Sequence, residues 1–127
     1  MAEEATSALD HIGIRSPDVD QSAAFYESLG FHRAAAFSLP EDGSKVVFIR
    51  QADTMLEIYQ GDHKQQAAID HIAMKVPNAD RLYAELSASG FTIEEKEVMQ
   101  LPFWQSGIRY FNVVGPNAER IEFCQKL

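Results

Sequence analysis

Two histidines and two glutamates, His11, Glu57, His71 and Glu122, are the residues best placed to do chemistry together. His11 lies in LDHIGI and His71 in IDHIAM, while Glu57 lies in LEIYQ and Glu122 in IEFCQ, so each type recurs in a matching context. Two imidazoles and two carboxylates suit a divalent ion such as Mn, Fe, Co, Ni or Zn, and leave one or two positions of an octahedral ion open. Open positions point to catalysis rather than to structural stapling. One such residue alone in a strand is ordinarily a satisfied or solvent-facing polar group. It is the recurrence of all four that makes a shared metal site the expectation.

The recurrence is an internal repeat. LDHIGIRSPDVDQSAAFYESLGF, from Leu9 to Phe31, aligns without a gap with IDHIAMKVPNADRLYAELSASGF, from Ile69 to Phe91, at an offset of 60 residues. The endings, Leu56 to Gln60 and Ile121 to Gln125, match at an offset of 65, so the second copy is longer by five residues. The stretch Leu101 to Gly107, rich in Pro, Ser and Gly, is the expected place for them. One domain over 1–127 is expected, built of module 9–60 and module 69–125.

Each copy must supply strands to hold the four side chains. Ile12 and Ile14 alternate with His11, Gly13 and Arg15, the period of a half-buried strand, and Ile72, Met74 and Val76 repeat it. Helical spacing follows in Val19, Ala23, Tyr26 and Leu29, and in Ala79, Leu82 and Leu86, with Gly30 and Gly90 as stops. Strands are predicted over Phe31 to Leu39, Lys45 to Gln51 and Thr54 to Gln60, with a hairpin at Pro40 to Ser44. In the second copy they span Phe91 to Gln100, Ile108 to Val114 and Glu119 to Gln125, with a turn at Gly115 to Ala118. Alternation puts all four candidate ligands on the face away from the helices. A carboxylate flanked by Leu56 and Ile58, or by Ile121 and Phe123, is costly to bury unless paired or bound to a cation.

Around these four, Gly13 and Ala73 leave room for a substrate, and Arg15 and Lys75 stand further along the same face, where they could meet an anionic group. Phe103 and Trp104, in the extra loop, could close over an apolar part of a substrate. Cys124, two residues after Glu122, is read as a lining residue. His32 and His63 lack repeat support and are read as surface residues.

The chain has 127 residues, 46% of them hydrophobic and 24% charged, which suits one compact core. Eleven Lys and Arg against nineteen Asp and Glu give a net charge of −8, which repels nucleic acid and anionic membranes. No window reaches the roughly 18 apolar residues of a membrane span, and MAEEATSALD is unlike a signal peptide, so a cytoplasmic protein is expected. The lone cysteine fits a reducing compartment.

At LDHIGIRSPDVDQSAAFYESLGF and RYFNVVGPNAERIEFCQ the chain resembles the vicinal oxygen chelate superfamily, which contains glyoxalase I, methylmalonyl-CoA epimerase, extradiol dioxygenases and the fosfomycin and bleomycin resistance proteins. The resemblance implies an α+β fold, two tandem βαβββ modules forming a cupped eight-stranded mixed sheet. The quartet is similar to that of bacterial glyoxalase I, a lactoylglutathione lyase. It implies a nickel or cobalt enzyme in which Glu122 removes and returns a proton beside a carbonyl, acting on a glutathione or other thiol adduct. A methylmalonyl-CoA epimerase-like or dioxygenase-like metalloenzyme, or a drug-binding protein without chemistry, is the alternative. A homodimer is expected, since short modules with exposed sheet edges favour pairing.

Overall fold

The computed structural model describes residues 8–61, 69–116 and 120–127. His63, the connection around it and residues 117–118 of the expected turn lie outside the described residues. The chain divides into two compact units, His11–Asp70 and His71–Leu127, the latter with the residues up to Asp10. Among the described residues there are eight strands and two helices.

In the first unit β1 (Ala8–Ser16) leads into α1 (Val19–Ser28), followed by β2 (His32–Ser38), β3 (Lys45–Gln51) and β4 (Thr54–Gln60). The sheet order is β2-β3-β4-β1. The β2/β3 and β3/β4 pairs are antiparallel, and β4 lies parallel to β1 with Gly13 opposite Glu57. Such a parallel pair needs a crossover, and α1 with the β2-β3 hairpin supplies it. The Asp18 carboxyl caps α1 by accepting from Gln21 N at 3.0 Å, and Gly30 ends it at φ 99°. The β2-β3 turn closes where expected, with Leu39 N donating to Ser44 O at 2.9 Å. Val19 and Ala23 of α1 pack on Val47, Ile49, Leu56 and Ile58, with Ile12 and Ile14 against the same cluster.

The second unit repeats the plan with β5 (Ile69–Lys75), α2 (Ala79–Ala88), β6 (Met99–Leu101), β7 (Ile108–Val114) and β8 (Arg120–Lys126). Its order is β5-β8-β7-β6, with β5 parallel to β8 and Ala73 opposite Glu122. Asn78 caps α2 through Arg81 N at 3.0 Å, and Gly90 stands at φ 83°. Ala79, Leu82 and Leu86 pack on Val76, Phe111 and Val113, with Phe123 against them. Fully burying a leucine such as Leu82 is worth about 1.5–3 kcal/mol.

Two expectations are corrected. The predicted strand from Phe91 to Gln100 is broken: Ile93 makes a single bridge to Val113, and regular pairing resumes only at Met99–Leu101. In the gap Asn112 N finds its acceptor in the Glu95 side chain instead of a backbone carbonyl, at 2.7 Å. Leu29, placed by its spacing on the buried face of the first helix, is 56% exposed and forms the helix C-cap.

Candidate metal centre

In the first unit the sheet face away from α1 carries His11 and Glu57. Their side chains are almost wholly buried, with His11 Nε2 3.4 Å from Glu57 Oε1. Gly13 lies in register beside Glu57 and contributes no side chain there. Across the other ladder Glu57 faces Phe48, whose ring meets His11 edge to face with centroids 5.4 Å apart. The second unit repeats the pair, with His71 Nε2 3.7 Å from Glu122 Oε1 and Ala73 beside Glu122. There the residue across the antiparallel ladder is Asn112. Neither Phe48 nor Asn112 was singled out from sequence. The only signal was an asparagine, disfavoured in strands, within the apolar run YFNVV.

The separations bear on what the pairs can hold. Charge-assisted N–H···O bonds run about 2.7–2.9 Å, shorter than either separation. Two ligand atoms each about 2.1 Å from one ion sit roughly 3.0–3.5 Å apart. The buried donor set of each unit, one imidazole and one carboxylate, suits a divalent cation, with the 3.4 Å pair inside that span and the 3.7 Å pair just beyond it.

The remaining candidates are placed as follows. Arg15 is ion-paired with the buried carboxylate of Asp70 and hydrogen-bonded to Tyr59, contacts that raise its already high pKa. Burial and a hydrogen bond to Asp70 push the Tyr59 phenol well above its ordinary range. Lys75 stands exposed at the end of β5. Phe103 is buried, whereas Trp104 adopts a left-handed φ of 62° and lies under Lys126 Nζ, 4.4 Å from its ring centroid. Lys126 also reaches Asp10, whose side chain is buried, at 3.3 Å. Trp104, Gln100, Gln105 and Ser106 border a pocket of about 410 Å³ on the extra loop. Cys124 is buried, two residues beyond Glu122 on the same strand.

Residues 8–102 match the family described as the Glyoxalase/Bleomycin resistance protein/Dioxygenase superfamily. The chain belongs to this superfamily. An uncharacterized Bacillus subtilis protein, YwbC, is 29% identical over 125 residues, covering 93% of this chain and 97% of its own. The human mitochondrial methylmalonyl-CoA epimerase is 41% identical over 51 residues, 39% of this chain and 29% of that protein. The crystal structure of methylmalonyl-CoA epimerase from Mycobacterium tuberculosis superposes with a TM-score of 0.80 at 17% identity, covering 96% of this chain and 89% of that one. This likeness shows the fold, the expected α+β vicinal oxygen chelate architecture. No helix among the described residues is long and apolar enough to cross a membrane.

Proposed function

We propose that this chain is a divalent-metal-dependent isomerase that moves a proton on a carbon next to a carbonyl, in the manner of a lactoylglutathione lyase. The observation that carries the reading is the recurrence of a buried His/Glu pair at repeat-equivalent places, His11 with Glu57 and His71 with Glu122. These four residues would hold the ion, nickel or cobalt by preference, which would supply Lewis acidity that favours charge on the substrate oxygen. Glu122 takes the proton from the hydroxyl-bearing carbon as the C–H electron pair moves toward the carbonyl oxygen, and returns it to the neighbouring carbon while the hydroxyl proton passes to the former carbonyl oxygen. Of the two glutamates, Glu122 has the polar ladder neighbour, while Glu57 faces Phe48. The assignment of Glu122 as the proton carrier rests on the similarity of the quartet to that of bacterial glyoxalase I. Lys75, exposed at the end of β5, serves the anionic part of the substrate, a glutathione or other thiol adduct, and Trp104 its apolar part, while Arg15 is committed to Asp70 and Phe103 to packing. The enzyme works as a cytoplasmic homodimer.

A second reading, methylmalonyl-CoA epimerase-like, uses the same proton transfer with return to the opposite face of the same carbon. The local identity with the human epimerase favours it. Elemental analysis comes first, then reconstitution with nickel, cobalt, zinc, manganese or iron, and assays with methylglyoxal plus glutathione and with methylmalonyl-CoA. Turnover of the hemithioacetal supports the lyase, and racemisation of the thioester supports the epimerase. Metal uptake with neither activity overturns both substrates, and absence of metal uptake overturns the metalloenzyme reading.

A further inference from the structure

The proposed metal reading leaves one buried group in the second unit unaccounted for. Asn112 on β7 is 1% exposed, and its Oδ1 accepts no hydrogen bond among the described residues. The orientation of the amide is fixed by Glu95. Asn112 N donates to Glu95 Oε1 at 2.7 Å and Asn112 Nδ2 donates to Glu95 Oε2 at 2.8 Å. A carboxylate only accepts, so this fork holds the amide nitrogen toward Glu95 and turns the amide oxygen away from it. The fork is itself anchored, because the backbone carbonyl of Glu95 accepts from the Tyr83 hydroxyl at 2.7 Å.

The oxygen therefore belongs to the ligand-bearing face. Phe111 and Val113, which flank Asn112, pack into the core under α2, and alternation sends Asn112 the other way. Phe123 packs on the same core, which sends Glu122 to Asn112's side. The two are opposite residues of an antiparallel ladder, whose Cβ atoms lie roughly 4.5–5.5 Å apart. A buried carbonyl oxygen without a donor is destabilising, and where a fold keeps one the missing partner is often something the working protein binds. Glu122, as a ligand carboxylate, accepts and cannot be that donor.

We infer that Asn112 is a positioning residue of the His71/Glu122 half-site, its side-chain oxygen accepting the O–H of a water or substrate hydroxyl that arrives with the metal. This rests on the metalloenzyme reading above. The outer contact steers the oxygen ligand of the ion, and Glu95 acts one step further out by fixing the amide.

The probe is Co²⁺ alone, titrated into the apo full-length chain and followed by its visible absorption, then repeated with lactate as a hydroxyl-bearing ligand. Asn112→Leu is expected to keep the thermal unfolding temperature of the apo protein close to that of the parent. Its Co²⁺ affinity is expected to fall about 10–100-fold with altered absorption bands, the usual range for loss of an outer partner. Glu95→Gln, at a half-buried position, is the second variant should Asn112→Leu fail to fold, and it should shift the same bands with a smaller affinity loss. If the bands differ from the parent in water, the accepted O–H is that of bound water. If they differ only with lactate, it is that of the organic hydroxyl. Parent-like affinity and bands in both variants, with and without lactate, overturn the inference and leave the metal reading standing. No Co²⁺ uptake by the parent chain overturns both.

Discussion

In the first unit the residue across the ladder from the candidate ligand carboxylate is Phe48, and in the second unit it is Asn112. The sequence repeat reproduces the pair that would touch a metal and changes what stands behind it. Glu57 lies opposite an aromatic ring that also packs against its partner His11. An apolar neighbour disfavours the charged carboxylate unless a cation pairs with it. Glu122 lies opposite an amide clamped by Glu95. A polar neighbour adds a second group beside the carboxyl that can orient a bound oxygen. The difference teaches that duplication keeps the buried His/Glu pair in both copies while the residue across the ladder from the glutamate diverges.

Conservative variants of the two glutamates break or sharpen this comparison most directly. Glu122→Gln should lower kcat by about 10²–10⁴-fold, the usual contribution of a positioned acid–base group. Glu57→Gln, which removes a ligand charge but no proton carrier, should act first on metal affinity, with kcat at saturating metal less affected. Metal stoichiometry measured beside kcat for each variant separates the two effects. Equal kcat losses at full metal loading would mean that the divergence behind the ligands has no part in the chemistry.

The helices differ as well. Leu82 of α2 is wholly buried, whereas Phe25 and Leu29 at the end of α1 are 59% and 56% exposed. Their repeat equivalents are Glu85, which pairs with Arg81 at 3.3 Å, and Ser89. Leu82→Ala should therefore cost about 2–5 kcal/mol in urea unfolding, the price of a core cavity. Leu29→Ala should stay within about 0.5 kcal/mol of the parent, as exposed sites do. A large loss at Leu29 would show that this face of α1 is covered in solution.

Much of this organisation was legible in the sequence because it is periodic. The span of β7 and the hairpin between β2 and β3 follow from alternation and turn residues, and the face that carries His11 and Glu57 follows from Ile12 and Ile14 pointing toward α1. What was not legible depends on contacts that periodicity does not encode. The stretch from Phe91 to Gln100 has strand-like composition, yet a glutamate side chain replaces the ladder acceptor and the strand opens. Phe103 and Trp104 are neighbours in a loop, and only the backbone turn at Trp104 separates a buried ring from one stacked under Lys126. Arg15 looked like a strand-end cation. Its commitment to Asp70, 55 residues away, needed the fold to be seen.

The smallest expected effect concerns a place where the two copies remain alike. Asp20 and Asp80 each stand in the first turn of a helix, where an anion is favoured, and each is tied to strand cations. Asp20 accepts from Lys45 at 2.7 Å and from Arg33 at 3.3 Å, while Asp80 accepts two bonds from Arg109, at 2.6 and 3.0 Å. The hydrogen bond from Lys45 lowers the pKa of Asp20, and that from Arg109 lowers the pKa of Asp80. A lowered folded-state pKa contributes stability above the unfolded value, near 3.9, and that contribution fades as pH falls through the folded value. Asp20→Asn and Asp80→Asn should accordingly lower the urea midpoint slightly at neutral pH and converge on the parent below roughly pH 4. Both pairs are exposed, so the shifts should be small and should shrink further in high salt. The two-bond arginine pair holds its geometry better than the lysine contact, which makes Asp80→Asn the larger of the two. A midpoint difference that persists unchanged at pH 3 would assign the effect to lost helix capping or packing rather than to charge.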